Sequence, residues 1–263
     1  MGGLKMKLVD YHIHSTHSYD ARSTIFELCQ TACELGLAEI GFADHMDFEP
    51  TDAGYGFFQY DQYTADIAKV RDVFKDVLVI RKGIEIDYQQ CIEPEIRRWL
   101  QDKDFDFIIG SVHYLDHVLI SHPYVAKMNV GALYKRYYRE VAKSIESGLF
   151  DVIGHFDLVS KYVDEKRADL SQFDHGEAAQ KILEAMVETQ HYFELNSKWS
   201  RPRGSSKTIL SMQDLLRQYL RCGGTRISLG SDAHSTDELG RGIHTVLEYI
   251  ASLNESKPRL LFT

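Results

Sequence analysis

The stretch VDYHIHSTHSYD, which spans residues 9–20, combines three histidines and two aspartates within twelve positions. His12 and His14 alternate within a short apolar run, and a β-strand directs positions i and i+2 to the same face. The same spacing recurs much later in the chain, in Asp232 and His234 of the stretch GSDAH. Imidazole and carboxylate groups are the usual protein ligands of Zn, Fe and Mn. These two pairs therefore predict a metal site.

Further residues of the same types follow other apolar runs. The chain contains seven short runs that are rich in β-branched and aromatic residues and mostly continuous, and helical patterns separate them. Continuous runs are typical of parallel strands that are covered on both faces. Six of the seven end in metal-ligand types: His12 and His14, Asp44 and His45, Glu85, His113, His155 and Asp157, and Asp232 and His234. The sixth run ends in Glu194 and Asn196.

Alternation of strands and helices predicts an α/β fold with a parallel sheet. The 263 residues, 44% of them hydrophobic, suffice for one large domain. We expect that domain over residues 6–263, with residues 1–5 as a short N-terminal extension. In a β/α barrel the carboxyl ends of all strands meet at one face, so the ligand-type residues would converge there. The least regular segments, 48–59 and 115–129, would border the site.

Composition excludes several other classes of function. A net charge of −9 argues against a nucleic-acid partner, which would require a positive surface. The four cysteines form no C-x-x-C pair, so we expect free thiols in a reducing cytoplasm. The sequence shows no signal peptide and no apolar run of membrane-spanning length, which predicts a cytoplasmic protein without a membrane partner. It does not define the oligomeric state.

The ligand types are weak evidence one by one and strong evidence together. A lone histidine at a strand end is usually an ordinary core or surface residue, so we assign no metal role to His17, His117, His122, His175, His191 or His244. The remaining candidates exceed what one ion can use, which predicts two or three ions. A multinuclear site of this kind stabilises the oxygens of a phosphoryl group and supplies hydroxide near neutral pH.

Through these motifs the chain resembles the polymerase-and-histidinol-phosphatase (PHP) phosphoesterases. The similar blocks are DYHIHSTHSYD, FADHMD, GIEIDY, GSVHYL, VIGHFDLVSKY, FELNSKWSR and LGSDAH. The resemblance implies a distorted (β/α)7, TIM-like barrel and three divalent metal ions, with Zn, Fe or Mn left open. It implies one ion held by His12, His14, Glu85 and Asp232, a second by Glu85, His113 and His155, and a third by Asp20, His45 and His234.

Within the family, the chain is most similar to the monofunctional histidinol-phosphate phosphatases. That resemblance implies hydrolysis of L-histidinol phosphate, a small phosphorylated substrate, in histidine biosynthesis. Glu85, Asp157 and Asp232 would carry catalytic roles, with Asp157 acting as an acid/base or supporting residue. Arg201, Lys161 and Arg203 would contact the phosphate. Ser160, Trp199 and Pro202 depart from the pattern of these phosphatases, in segments that we expect to line the substrate pocket.

Three alternatives stay open from the sequence. The first is another PHP phosphoesterase, such as a protein-tyrosine phosphatase or a nucleotide phosphatase. The second is an amidohydrolase, which also begins with H-x-H on a strand but does not require Asp20, His45 and His234. The third is a non-catalytic regulatory module that binds metal.

Overall fold

The computed structural model describes residues 7–163, 174–199, 211–253 and 258–262. Its helices are α1 (Ile25–Glu34), α2 (Tyr60–Phe74), α3 (Glu93–Leu100), α4 (Val130–Ser147), α5 (His175–Thr189), α6 (Met212–Arg221) and α7 (Ile243–Ser252). Its strands are β1 (Val9–Ile13), β2 (Glu39–Phe42), β3 (His45–Met46), β4 (Val79–Asp87), β5 (Phe107–Ser111), β6 (Tyr114–Leu115), β7 (Val118–Leu119), β8 (Val152–Ile153), β9 (Tyr192–Asn196), β10 (Arg226–Gly230) and β11 (Arg259–Leu260).

The main sheet is parallel and follows the order β1-β2-β4-β5-β8-β9-β10-β11, with β3 paired to the end of β4. The sheet curls, because the backbone N–H of His14 after β1 donates to the carbonyl of Ala233 after β10, at 2.8 Å. Seven consecutive strands of this order match the seven apolar runs, and the helices lie between them in sequence. The α/β, TIM-like architecture expected from the sequence is therefore confirmed.

Two glycines allow the inner face of the sheet to accept a large ring. A Cβ at Gly83 would lie 2.3 Å from the ring of Phe107, and a Cβ at Gly41 would lie 2.8 Å from it. Contacts that short do not occur in folded proteins, so any side chain at either position would displace Phe107. Because Gly41 of β2 and Gly83 of β4 have no side chain, the first residue of β5, Phe107, fits into the core, where it is 1% exposed.

Local sequence signals explain most helix boundaries. The expected capping box at the start of α1 is present, because the side chain of Thr24 accepts from the Glu27 amide and the Glu27 carboxylate accepts from the Thr24 amide. The fifth of the seven apolar runs, residues 150–155, was expected to form a strand along its whole length. Only Val152–Ile153 pairs with neighbouring strands. The chain turns away at His155, whose φ of 20° is incompatible with an extended strand.

The segment 115–129 is more ordered than its sequence suggested. Strands β6 and β7 form a tight antiparallel hairpin, whose two turn residues, Asp116 and His117, have φ values of 49° and 65°. Positive φ at both turn residues is the geometry that matches the twist of a two-residue hairpin.

Among the described residues, no helix has both the length and the apolar character needed to cross a bilayer.

Candidate metal centre

Five imidazoles surround one buried carboxylate at the carboxyl ends of the strands. Glu85, near the end of β4, is 0% exposed. The ring nitrogens nearest to its two oxygens belong to His155 (Nε2, 3.0 Å), His45 (Nδ1, 3.1 Å), His12 (Nε2, 3.2 Å), His14 (Nε2, 3.5 Å) and His113 (Nε2, 3.7 Å). Together with Glu85, the five histidines come from five different segments of the chain, so convergence of the strand ends brings them together.

A second group of predicted ligands adjoins the first. Asp232 lies 3.5 Å from His14 Nε2 and 3.6 Å from His234 Nδ1. The carboxylate of Asp20 lies 3.1 Å from His234 Nε2 and 3.9 Å from His45 Nε2. His14 and His234 stack with their ring centroids 4.2 Å apart. The structure thus brings all nine sequence-predicted metal ligands into one continuous cluster.

The ring of His12 is held by a carboxylate on another strand. Glu194 of β9 places Oε1 2.6 Å from His12 Nδ1, and its Oε2 accepts from the His155 amide at 2.5 Å. A Cβ on Gly230 would lie 2.4 Å from His12 Cβ and 2.6 Å from Glu194 Oε1, so glycine is required there. A carboxylate on the far nitrogen of a metal-binding histidine fixes the ring orientation and raises its basicity as a ligand.

A β-bulge in β1 sets the direction of the two first histidines. Val9 and Asp10 face Glu39 and Ile40 of β2, but Ile13 faces Phe42, so β1 carries one residue more than β2 over this stretch. Bulges re-aim side chains next to active sites. His12 and His14 both reach Glu85, as the i, i+2 spacing predicted.

His14 is oriented through a serine. Its Nδ1 lies 3.2 Å from the Ser18 hydroxyl, which donates to Asp44 at 2.9 Å. Asp44 is fully buried and also accepts from the amide of Ser15 at 2.6 Å. Asp44 therefore supports His14 through Ser18. The backbone N–H of His45 also donates to the Ser18 hydroxyl.

Several groups are held in the protonation state that a metal ligand needs. Burial lowers the pKa of His14, and the neighbouring His45 and His234 rings lower it further. Burial likewise lowers the pKa of His113 to about 4. Burial opposes ionisation of Glu85, but the adjacent His12 and His45 hold its pKa well below the usual value. His12 and His45 differ from these rings: burial favours their neutral forms, but the neighbouring carboxylates, Glu194 first for His12 and Glu85 first for His45, outweigh it and raise both pKa values. An incoming cation would therefore find His14, His113 and Glu85 ready to bind and would displace protons from His12 and His45.

Unpaired buried atoms point to the same conclusion. Within the described residues, His12 Nε2, His14 Nε2, His45 Nδ1 and Glu85 Oε2 are buried and make no hydrogen bond. Buried polar atoms are nearly always satisfied, so a set of orphaned lone pairs that face one another requires an explanation. A cation would satisfy all four, and three triads of ligand atoms lie within mutual reach: His14, His45 and His234; His12, His14 and Asp232; and His12, Glu85 and His155. The residues present therefore fit divalent metal ions.

A cavity of about 520 Å³ opens over the cluster. Lys161 and Lys198 line it together with seven of the nine predicted ligands, all except His12 and His14. Lys198 places Nζ 3.2 Å from Asp232 Oδ2 and 3.5 Å from His234 Nδ1. The sequence interpretation overlooked this lysine, although it follows the end of β9 directly and that position was the available signal. Arg201 and Arg203 lie outside the described residues.

The contacts of Asp157 bear on its two expected roles, an acid/base residue or a supporting residue. Its carboxylate accepts from the Tyr138 hydroxyl at 2.7 Å and lies 3.2 Å from His175 Nε2, in a buried network. It is absent from the described lining of the cavity. Asp157 does not follow His155 along an extended strand, because β8 ends at Ile153 and the chain then enters a 3₁₀ turn at Leu158–Tyr162. The geometry therefore favours a positioning role over direct participation in the reaction.

Two histidines without an assigned metal role have local partners. His17 lies 3.2 Å from Asp66, and the buried His191 contacts Thr189 at 2.6 Å.

Glu194, like Lys198, is a functional residue to which the sequence analysis assigned no role. The sequence showed it only at the end of the sixth apolar run, because its partner His12 lies far away along the chain.

Comparison with known proteins agrees with the geometry. The PHP domain profile matches residues 10–198. The probable histidinol-phosphatase of Deinococcus radiodurans is 32% identical over 89% of this chain and 88% of its own. The histidinol-phosphatase of Lactococcus lactis is 28% identical over 91% of this chain and 88% of its own.

Solved structures are similar as well. The Lactococcus lactis histidinol phosphate phosphatase, solved with Zn, L-histidinol and phosphate, has a TM-score of 0.83 and 25% identity, over 96% of this chain and 95% of its own. A putative histidinol phosphatase from Listeria monocytogenes shares the fold, with a TM-score of 0.74 and 20% identity over 90% of this chain and 99% of its own. From its cluster of ligands and its sequence, the chain belongs to the PHP domain family.

Proposed function

We propose that this protein is a metal-dependent phosphomonoesterase that hydrolyses L-histidinol phosphate to L-histidinol and phosphate. The observation that carries the proposal is the arrangement of five imidazoles around the carboxylate of Glu85, at the floor of a cavity of about 520 Å³. The similarity to a phosphatase solved with zinc, L-histidinol and phosphate supports the choice of reaction and substrate.

The proposed cofactor is a set of three divalent ions, Zn, Fe or Mn. One ion would be held by His12, His14, Glu85 and Asp232, a second by Glu85, His113 and His155, and a third by Asp20, His45 and His234. One short contact within each set supports this division: His14 to Asp232, His155 to Glu85 and His234 to Asp20. The compact triads of ligand atoms overlap these sets but group His14 with His45 and His234, and His12 with Glu85 and His155. Bound divalent ions lower the pKa of water and offset negative charge on phosphoryl oxygens. In this scheme Glu85 and Asp232 are the central carboxylates.

Cations of the chain would hold the phosphate at the inner end of the cavity. Lys161 and Lys198 line it, and Lys198 lies beside two of the proposed ligands. Fixed positive groups that face the phosphoryl oxygens stabilise the charge that develops in the transition state. Arg201 and Arg203 remain proposed phosphate contacts from their place in the segment after β9.

Acidic and aromatic side chains of the cavity lining suit the other end of the substrate. They are the carboxylates of Asp47 and Asp52 and the rings of Tyr19 and Tyr114. The Tyr114 hydroxyl donates to Asp52 at 2.5 Å. Burial raises the pKa of Asp47 to about 6, and an ammonium group nearby would favour its ionised form. Acidic and aromatic groups together complement a substrate that carries an amine and an imidazole ring.

The test is phosphate release by purified protein supplied with Mn, Zn or Fe. L-Histidinol phosphate would be compared with phosphotyrosine, a nucleoside monophosphate and a simple aryl phosphate. We expect kcat/KM for L-histidinol phosphate to exceed each of the others at least about a hundredfold, as differential binding of a charged group can supply. Better turnover of another ester would reassign the substrate within the family. Metal binding without any turnover would instead indicate a regulatory module.

A further inference from the structure

Outside the cluster around Glu85, three side chains contact one another in sequence: Cys91 and His117 are exposed, and Glu49 is buried beneath them. The Sγ of Cys91 lies 3.8 Å from Nε2 of His117, and Nδ1 of the same ring lies 2.7 Å from Oε2 of Glu49. A nucleophile, a base within reach of it, and a third group that orients the base form the arrangement used in nucleophilic catalysis. None of the three residues belongs to the cluster around Glu85.

Glu49 is a fixed anion. It is 2% exposed, and it accepts from the Thr51 hydroxyl at 2.9 Å and from the Gln89 amide group at 3.2 Å. Burial opposes its ionisation, but the hydrogen bonds from His117, Thr51 and Gln89 hold its pKa below the usual value. An ionised carboxylate at Nδ1 favours the proton on that nitrogen, which leaves the lone pair of Nε2 directed towards the sulfur.

The backbone also holds His117 in place. Its φ of 65° lies in the left-handed region, which is uncommon for a residue other than glycine. Its amide donates to Oε1 of Gln89 at 3.0 Å, and Gln89 in turn donates to Glu49. The tip of the β6–β7 hairpin is thus fastened to the segment that carries Cys91, which fixes the imidazole beside the thiol.

Cys91 is the exposed cysteine of the four, since Cys29 is buried and Cys33 and Cys222 are partly buried. Partial burial raises the pKa of the Cys91 thiol, and the carboxylates of Glu140, Glu49 and Glu95 raise it further. A thiol of this kind is neutral near pH 7 and needs a base to become nucleophilic. Once deprotonated, a thiol of high pKa is the stronger nucleophile.

We propose that Cys91, His117 and Glu49 form a thiol–disulfide exchange site that reacts with small disulfides. His117 Nε2 takes the thiol proton as the Cys91 sulfur attacks one sulfur of the disulfide. A new S–S bond forms to Cys91, the original S–S bond breaks, and the leaving thiolate takes the proton. The disulfide is the oxidant, and the product is a mixed disulfide on Cys91.

Oxidised glutathione serves as the probe for a test on the full chain. Peptide mass spectrometry would give the rate of mixed-disulfide formation at each cysteine at pH 7, alongside the thermal unfolding of every variant. His117→Asn removes the base, and asparagine tolerates the left-handed backbone of the turn. Glu49→Gln removes the charge that orients the base. Cys222→Ser is the matched control, because that cysteine is partly buried and distant in sequence.

We expect Cys91 to react first in the unaltered protein and in Cys222→Ser. His117→Asn should slow the reaction at least about tenfold at pH 7, and the difference should vanish at high pH, where the thiolate forms without a base. A purely structural role would not produce that pH dependence. Faster labelling of another cysteine, or an equal Cys91 rate in His117→Asn at pH 7, would overturn the proposal. None of these readouts depends on phosphatase activity.

Discussion

The Nδ1 atom of His12 and the carboxylate of Glu194 lie 2.6 Å apart, although 182 residues separate them along the chain. The same carboxylate accepts from the backbone of His155. One side chain on β9 therefore holds a proposed ligand on β1 and a second after β8. The local sequence of neither strand predicts this contact.

Glu194→Gln should weaken metal binding about tenfold to a hundredfold, because the neutral amide orients His12 less firmly and leaves its ring less basic. Calorimetric titration of the metal-free protein with Zn would measure the change. Glu188→Gln, at an exposed position of α5, is the control and should bind metal like the unaltered protein. An unchanged affinity in Glu194→Gln would mean that His12 is held by other contacts.

Asp157→Asn should lower the free energy of unfolding by about 1–3 kcal/mol, because a buried carboxylate that accepts from Tyr138 loses its charge. We expect a much smaller loss of kcat than in Glu85→Gln. Denaturant unfolding and steady-state kinetics would be measured on the same preparations. A kcat as low as that of Glu85→Gln with unchanged stability would return Asp157 to the reaction centre.

Lys198→Met should lower kcat/KM about tenfold to a hundredfold, since a charge-assisted hydrogen bond to phosphate would be lost. Lys198→Arg is the matched variant and should retain most of the activity, because it keeps the positive charge beside Asp232. Metal content would be measured in both variants by elemental analysis. If Lys198→Met lost metal and activity together, the lysine would act on the ligands and not on the substrate.

Arg201→Ala should raise KM strongly while the metal content stays unchanged, if Arg201 contacts the phosphate as its position in the sequence suggests. Steady-state kinetics with L-histidinol phosphate would show the effect, with Arg221→Ala on α6 as the control. An unchanged KM would remove Arg201 from the site.

Metal affinity should rise with pH. Burial favours the neutral His45 ring, but the carboxylates of Glu85 and Asp47 outweigh it and raise the pKa of His45 to about 9 in the metal-free protein. An incoming ion must displace that proton, so affinity should increase up to about tenfold per pH unit below pH 9 and level off above it. Titrations in buffers of different ionisation enthalpy would count the released protons. Affinity that did not vary between pH 6 and 8 would contradict this assignment.

Most of the fold followed from the sequence because its signals are local. Continuous apolar runs and helical periodicity depend on neighbouring residues, and so does the capping box at Thr24. The two ligand pairs with i, i+2 spacing, His12 with His14 and Asp232 with His234, could be recognised for the same reason, since side-chain direction alternates along any strand. Strand ends meet at one face in a parallel barrel, which let the order of ligand types predict a single site.

What the sequence determined by itself was the set of ligand types and the face of the barrel on which they meet. The tertiary structure decided which lone pairs converge on Glu85, that Asp157 turns towards Tyr138, and that Lys198 reaches Asp232. Those facts depend on strand register, on the bulge in β1 and on the backbone turn at His155. Each is set by packing between residues far apart along the chain, so local spacing alone contains no record of it.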